Sequence, residues 1–322
     1  MAEAPEAVAR IASERAEARA ARDFARADGL RDEIAERGWT VVDEPAGFRL
    51  EPGSAPEPSE PEPGGSVRAE DVASLLDQPA TADVSVHWIV EGWPEDIDRG
   101  LAAFRRHAGA RALQLVVTDV TGEDPERWGD GVEAIELDEG TGWAAARNAG
   151  LRRSTGRIVC VVDGSVEPTG DVLGPVQDAL SDEKVGVCGP FGITTKDLRQ
   201  FDEAPEPGDC DAIEGYFMAF RREMLSAAGL FDEKFKWYRT ADVEYSFRIK
   251  DQGYRATVVP LPVRKHEHRM WFNTAPEERA KWSKRNYYRF LDRWRDRWDL
   301  CVSPDPPEHD HGSHHHHESG VD

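Results

Sequence analysis

Residues 142–165 read GWAAARNAGLRRSTGRIVCVVDGS, and this stretch decides the fold. Its first part predicts a helix from Gly142 to Arg153, closed by Gly156. Its second predicts a strand over Ile158 to Val162 that ends at Asp163. Alanine is the strongest helix former, and isoleucine and valine suit a pleated strand. The run of small side chains lets the helix lie close against a sheet. The same alternation continues outward. Val84 to Val90 and Leu113 to Thr118 read as strands, the second ending at Asp119. Asp96 to His107 reads as a helix with Ile97, Leu101 and Phe104 on one side. Strands alternating with helices argue for an α/β fold with a mainly parallel sheet. In such sheets ligands sit beyond the carboxyl ends of strands, where Asp119 and Asp163 fall.

The flanks differ in kind. Residues 1–50 predict a helical hairpin and a short β element. Val8, Ile11 and Ala18 lie on one stripe, and Phe24, Ala27, Leu30 and Ile34 continue at spacings of three and four. Asp23 is placed to cap the second helix and Gly38 to end it. Trp39 to Val42 and Phe48 to Leu50 read as extended, around a turn at Pro45 to Gly47. Residues 51–82 form a linker. Its Pro-, Glu-, Gly- and Ser-rich part, up to Ser66, is too polar to bury a core, and a short helix is expected over Val67 to Asp77. The α/β domain spans 83–272. Residues 273–300 hold an aromatic amphipathic helix from Ala275 to Trp298, with Thr274 and Glu277 as a capping box and Pro276 in the first turn. Tyr287, Leu291, Trp294 and Trp298 share a face, with Phe290 beside it. Residues 301–322 are a tail, rich in Pro, Asp and His, for which disorder is expected.

The 322 residues include 62 acidic and 40 basic side chains, a net charge of −22. Such a field opposes non-specific binding to nucleic acid and to anionic lipid. It also repels an anionic ligand unless a metal or a local basic cluster offsets it. No run of about 18 apolar residues occurs, so no membrane-spanning helix is predicted. The first twenty residues, MAEAPEAVARIASERAEARA, lack the basic start and apolar run of a secretory signal. A cytoplasmic location follows as the expectation. The four scattered cysteines, with no C-x-x-C pair, read as buried free thiols in a reducing compartment.

Four stretches, in order, resemble the nucleotide-sugar domain of family 2 glycosyltransferases over about residues 83–298. They are VSV at 84–86 with Glu91 to Leu101; LVVTD at 115–119; the 142–165 stretch with Val166, Glu167 and Pro168; and a last set. That set is EGYFMAFRR at 214–222, GLFDE at 229–233, ADVE at 241–244 and GYR at 253–255. The resemblance implies the GT-A fold, a Rossmann-like mixed sheet with flanking helices. It implies transfer of a hexosyl or deoxyhexosyl group from a nucleotide-diphosphate sugar to an acceptor hydroxyl, with inversion. It assigns donor binding to Glu91, Asp119, Arg147, Asn148, Asp163 and Gly164. Asp119 would accept hydrogen bonds from the base, and Arg147 and Asn148 would face the diphosphate.

Asp163-Gly164-Ser165 falls at the family's D-x-D position, where a carboxylate holds Mg²⁺ or Mn²⁺ against the diphosphate. The resemblance thus implies a metal held by Asp163, Ser165 and His266, the last within VRKHEHR at 263–269. Ser165 in place of the second acid leaves metal use open. Asp242 falls at the position of the base that takes the acceptor proton, with Glu244 as the alternative base. The acid that usually precedes it is Ala241 here.

Plainer readings stand beside these. Asp119 can cap a turn, and Asp163-Gly164 can be a simple strand-ending turn. Asp242 and Glu244 can be stabilising charges at a helix start. Arg147 can lie on the surface of an ordinary helix, and residues 264–269 can be a solvated basic loop. The last helix packs on the domain, lies on a membrane surface at the inner face, or offers a partner groove. Ser165 and Ala241 point to a catalytically degenerate nucleotide-sugar-binding module. The expected partners are the nucleotide-sugar donor and a glycan, lipid-linked or protein acceptor, and nucleic acid is not expected.

The N-terminal segment resembles the extreme C-terminal module of bacterial cysteinyl-tRNA synthetases. The match lies in RAEAR at 15–19, DFARAD at 23–28 and LRDEI at 30–34, with Gly38, Asp43 and Gly47. The HIGH and KMSKS signatures of that enzyme's catalytic domain are absent. The resemblance implies a packing or docking module. A tRNA-associated scaffold, using Arg15, Arg19, Arg22 and Arg26 as a basic face, is the alternative.

Overall fold

A computed structural model of the chain describes residues 4–20, 24–44, 47–52 and 65–305. The expectations for Arg22 and Asp23, for the 45–46 turn, for most of the linker and for the tail from 306 lie outside these residues. The chain divides into two compact units, Met1–Pro63 and Gly64–Asp322.

In the first unit α1 (Glu6–Ala20) and α2 (Phe24–Glu36) accompany an antiparallel hairpin of β1 (Trp39–Glu44) and β2 (Gly47–Pro52). Val8, Ile11, Ala12, Ile34 and Val41 form its buried core, with Leu30, Trp39, Phe48 and Leu50 packed against it. The three-and-four spacing of the sequence is thus the stripe that meets the hairpin.

The second unit is built on an eight-stranded sheet. In chain order its main elements are β3 (Ala82–Val90), α3 (Pro94–His107), β4 (Leu113–Asp119), β5 (Val132–Glu136), α4 (Trp143–Arg152), β6 (Gly156–Val162) and α5 (Leu173–Leu180). There follow β7 (Val185–Gly189), β8 (Gly208–Cys210), β9 (Phe217–Arg221), α6 (Ala241–Asp251), β10 (Arg255–Val258), α7 (Arg269–Asn273) and α8 (Pro276–Trp294). The strand order is β8-β10-β7-β9-β6-β3-β4-β5. β6, β3, β4 and β5 run parallel. β9 runs against both β6 and β7, which makes the sheet mixed.

Side chains alternate across the sheet with period two. On β6, Val159 and Val161 face the layer that holds α4 and α6, while Cys160 and Val162 face that of α3 and α5. All four cysteines are buried free thiols. Among the described residues no helix is long and apolar enough to cross a membrane.

Several local expectations shift. Gly156 does not close α4: the Arg153 N–H does so on Gly150 O. Gly156 begins β6 instead, where a Cβ would stand 2.2 Å from the Ser85 amide nitrogen, so only glycine lets the two strands approach. Over 67–77 a single 3-10 turn, Ala69–Asp71, replaces the expected helix. Val67 is used as a bridge to Leu137, and Ala69 O accepts from the Arg152 guanidinium. The capping box at α8 does not form. Thr274 Oγ1 donates to Met270 O at 2.7 Å and closes α7, leaving Ala275 as a cap without a side-chain bond. β5, with its modest apolar content, was not legible as a strand.

Candidate active site

β3, β4 and β6 are neighbours in parallel register, so Glu91 and Asp163, just past the ends of β3 and β6, and Asp119, the last residue of β4, lie along one edge. From the other direction β9, antiparallel to β6, is entered through the turn Glu214-Gly215-Tyr216. The Asp163 N–H donates to Tyr216 O at 3.0 Å. The Gly215 N–H donates to Asp242 Oδ2 at 2.7 Å. One three-residue turn therefore holds the acid at the end of β6 and the acid at the start of α6. Asp163, Asp242, Glu214, Tyr216, His266 and His268 line a common cavity of about 950 Å³.

Asp163 is surrounded by donors. Its Oδ1 accepts from the Ser165 N–H (2.8 Å) and, in a short bond, from the Ser165 hydroxyl. Its Oδ2 faces His268 Nε2 at 3.4 Å. Burial alone would raise its pKa, but His268 and then Ser165 outweigh burial and hold it below the usual carboxylate range. Burial pulls the His268 imidazole down, yet Asp163 and Glu91 carry it above its ordinary value. His268 Nδ1 accepts the Trp271 N–H at 3.2 Å, so the proton of the neutral ring sits on Nε2. Charge favours imidazolium, while this α7 cap needs a bare Nδ1.

Asp242 accepts from Gly215 N–H and, through Oδ1, from Val243 N–H at 2.9 Å. Burial exceeds these amide bonds and leaves its pKa raised. It lies two residues after the helix cap Thr240, which has φ +73°. That left-handed conformation is strained for a β-branched residue, and such strain clusters at functional sites. Glu214 was not expected as a site residue. Its carboxyl is pushed up to about 7 by burial, then by Asp242. An acid directly before a Gly and an aromatic strand start was the available signal.

The other expected residues are distributed as follows. Glu91 and Gly164 share with Asp163 and Ser165 a recess of about 30 Å³ under His268, Arg269 and Met270. Burial, then Asp163, pushes Glu91 up to about 8. Arg147 is buried rather than on the surface. It donates to His87 O at 3.1 Å and lies 5.2 Å over the Trp143 ring. Burial lowers its pKa to about 10 against the pull of Glu91 and Asp163. Asp119 holds its own turn, accepting from Thr121 N–H, Thr121 hydroxyl and Glu123 N–H at 2.6–2.7 Å.

Three placements correct the sequence reading. Asn148 clasps Phe231, donating to its carbonyl and accepting from its N–H at 2.9 Å each, and donates to Glu233 as well. Its polar atoms are thereby taken up in the fold. Glu244 is buried between Arg248 and Arg293, 3.0 Å from each, and does not line the cavity. His266 does line it, but its Nε2 is 2.8 Å from Glu167. His268 takes the place beside Asp163 that the sequence reading gave to His266.

A divalent ion would find few ligands in this donor set. Among the described residues no three His, Cys, Asp or Glu side chains gather as a metal cage. Ser165 donates its hydroxyl to Asp163, and His268 presents a proton-bearing nitrogen. Asp163 alone fits as a ligand. A hard ion taking one carboxylate and completing its shell from phosphate and water matches that arrangement.

Comparisons with known proteins bear on the two units separately. Residues 118–244 match the family model "Glycosyl transferase family 2". A solved structure of GalNAc-T7 with UDP, GalNAc and Mn²⁺ superposes with a TM-score of 0.55 at 17% identity, covering 68% of this chain and 48% of that one. That likeness shows the fold alone. The mannosyltransferase PcManGT from Pyrobaculum calidifontis, in complex with GDP-Man and Mn²⁺, gives 0.46 at 20% identity over 70% of this chain and 77% of its own, too loose to bear on this chain. A cysteine–tRNA ligase of Opitutus terrae is 49% identical over 51 residues, 16% of this chain and 11% of the ligase. The chain thus spans about half the length of GalNAc-T7 and a small part of the ligase. Over residues 118–244 it is similar to the glycosyl transferase family 2 model, and the unit that holds this stretch has the GT-A fold.

Proposed function

We propose that this protein transfers a sugar from a nucleotide-diphosphate sugar to an acceptor hydroxyl with inversion, using Asp242 as base. One observation carries the reading: the 214–216 turn holds Asp163 and Asp242 on the wall of one cavity of about 950 Å³. In this reading Asp163 lies on the donor side and Asp242 on the acceptor side. The acceptor oxygen gives its proton to Asp242 as it attacks the anomeric carbon, and the bond from that carbon to the diphosphate oxygen breaks. The raised pKa of Asp242 makes it the stronger base.

The departing diphosphate needs positive charge in a chain of net charge −22. The His268 Nε2–H is one donor. Lys265, 3.4 Å over the Tyr216 ring, and Arg239, 4.9 Å over Trp271, are two more cations on the same wall. A divalent ion, when bound, would be held by Asp163 and would supply further charge at the leaving group. Mn²⁺ accompanies the nucleotide in the GalNAc-T7 structure, which supports trying it first.

The test is release of nucleoside diphosphate from a panel of nucleotide-sugars, with and without Mn²⁺ and without added acceptor. Slow hydrolysis of at least one donor is expected. Tight nucleotide binding with no release under any condition would favour the degenerate binding module instead.

A further inference from the structure

The cavity is also lined by residues to which the proposed reaction gives no role. Its outer arm is walled by Arg199, on the loop after Thr195, and by Lys284, Tyr287 and Tyr288 on α8. Lys284, Tyr287 and Tyr288 stand at i, i+3 and i+4, so they share one helix face. Tyr288 is 53% exposed, although its element is otherwise anchored by the fully buried Phe290 and Trp294.

The cations here form no close ion pair, although the Asp197 carboxylate is near enough to interact with Arg199 and Tyr287. Acids outnumber bases 62 to 40 in the sequence, yet among the described residues neither Arg199 nor Lys284 has an ion-pair partner. Asp197, beside Arg199, directs its Oδ1 to the Arg199 and Gln200 amides at 2.8 Å each. The loop that presents Arg199 is fixed. The Thr195 N–H donates to Asp211 at 2.7 Å, and the Leu198 N–H to Thr195 Oγ1 at 2.9 Å. Leu198 itself is fully buried at φ +56°. Leu198 and Thr240 are the described non-glycine residues with positive φ, and each adjoins an arginine of the cavity wall. Backbone strain at such places is held by the surrounding structure.

We infer that this arm binds the acceptor, and that the acceptor carries an anionic group, a phosphate or a carboxylate, on or next to a sugar ring. The inference rests on the transferase reading above. Arg199 and Lys284 receive the anion, the guanidinium by paired N–H donors and the ammonium as a point charge. Tyr287 and Tyr288 offer ring faces to the apolar side of the sugar. Lys265 and Arg239, as exposed as Arg199 and Lys284, act on Glu214, and Arg239 also on Asp242; in this reading they are left to the departing diphosphate between the two acids.

The test is a set of calorimetric titrations on the full chain, with a hexose 6-phosphate, a hexuronate and the neutral hexose, each with nucleoside diphosphate present. Both charged probes, or one of them, should bind at least about tenfold tighter than the neutral hexose, a difference of about 1.4 kcal/mol. The Arg199→Gln/Lys284→Gln double variant should erase that preference while keeping nucleoside diphosphate affinity. Which charged probe binds identifies the anion. Equal binding of charged and neutral probes, or a preference that survives in the double variant, overturns the inference. Nucleoside diphosphate binding is read in the same experiment. If it is kept while the preference is absent, this inference alone falls. If it is absent while the preference stands, the arm is an anion site and the transferase reading falls.

Discussion

Asp242→Asn is expected to lower turnover of a nucleotide-sugar by about 10²–10⁴-fold, the range in which a positioned base contributes. The effect should appear in kcat, with nucleoside diphosphate affinity unchanged, because in the proposed reaction Asp242 meets the acceptor and not the diphosphate. The fold should tolerate the change. Asn keeps one oxygen to accept from either the Gly215 or the Val243 amide, so about 1 kcal/mol of stability is at stake. Steady-state kinetics beside a melting curve measures both. A variant that melts as the native chain does and still turns over at the native rate would remove Asp242 from the chemistry.

Glu244→Ala is expected to do the opposite: destabilise strongly, with any loss of activity following the loss of fold. Its carboxylate lies between Arg248 and Arg293, and the Arg248 side chain is only 11% exposed. Removing one partner of a buried pair strands the other, at about 3–5 kcal/mol. Burial dominates the Glu244 pKa and raises it despite both arginines, so the pair itself is not strongly favourable. The cost comes from the orphaned Arg248, and the low end, about 3 kcal/mol, is expected. For a unit of this size that corresponds to a fall in Tm of about 6–12 °C. Chemical denaturation checks it. A native-like melting curve with lost turnover would return Glu244 to the catalytic residues.

What could be read from the sequence follows a physical division. β3, β4 and β6 are largely buried on both faces, so they appear as mainly apolar runs, interrupted in β3 by Ser85 and His87 and in β4 by Gln114 and Thr118, and the acids at their ends are fixed by chain direction alone. α4 declares itself by its alanines. The partner of each polar group is a tertiary fact, and there the reading failed. Asn148 and Glu244 occupy positions that look functional, yet Phe231 and Arg293, far along the chain, absorb them.

The histidines show the same limit at finer scale. Residues 263–265 pair with 166–168, Lys265 opposite Val166, and the His266 N–H donates to Ser165 O at 2.7 Å. That register sends His266 to Glu167 and leaves the place beside Asp163 to His268. A two-residue change of register would bring His266 to the place His268 now holds, and nothing in the motif fixes it. Glu214 was missed for a related reason: its raised pKa comes from burial beside Asp242, which no local pattern encodes.

The claim on which the rest stands is that Asp163 and Asp242 serve one reaction in one cavity. A crystal structure grown with a nucleoside diphosphate addresses it most directly. The diphosphate is expected beside Asp163, within reach of His268 Nε2 and Lys265, with the Asp242 carboxylate left open toward the arm lined by Tyr287. A nucleotide lodged away from Asp163, or one whose phosphates lie against Asp242 and fill the acceptor side, would contradict it.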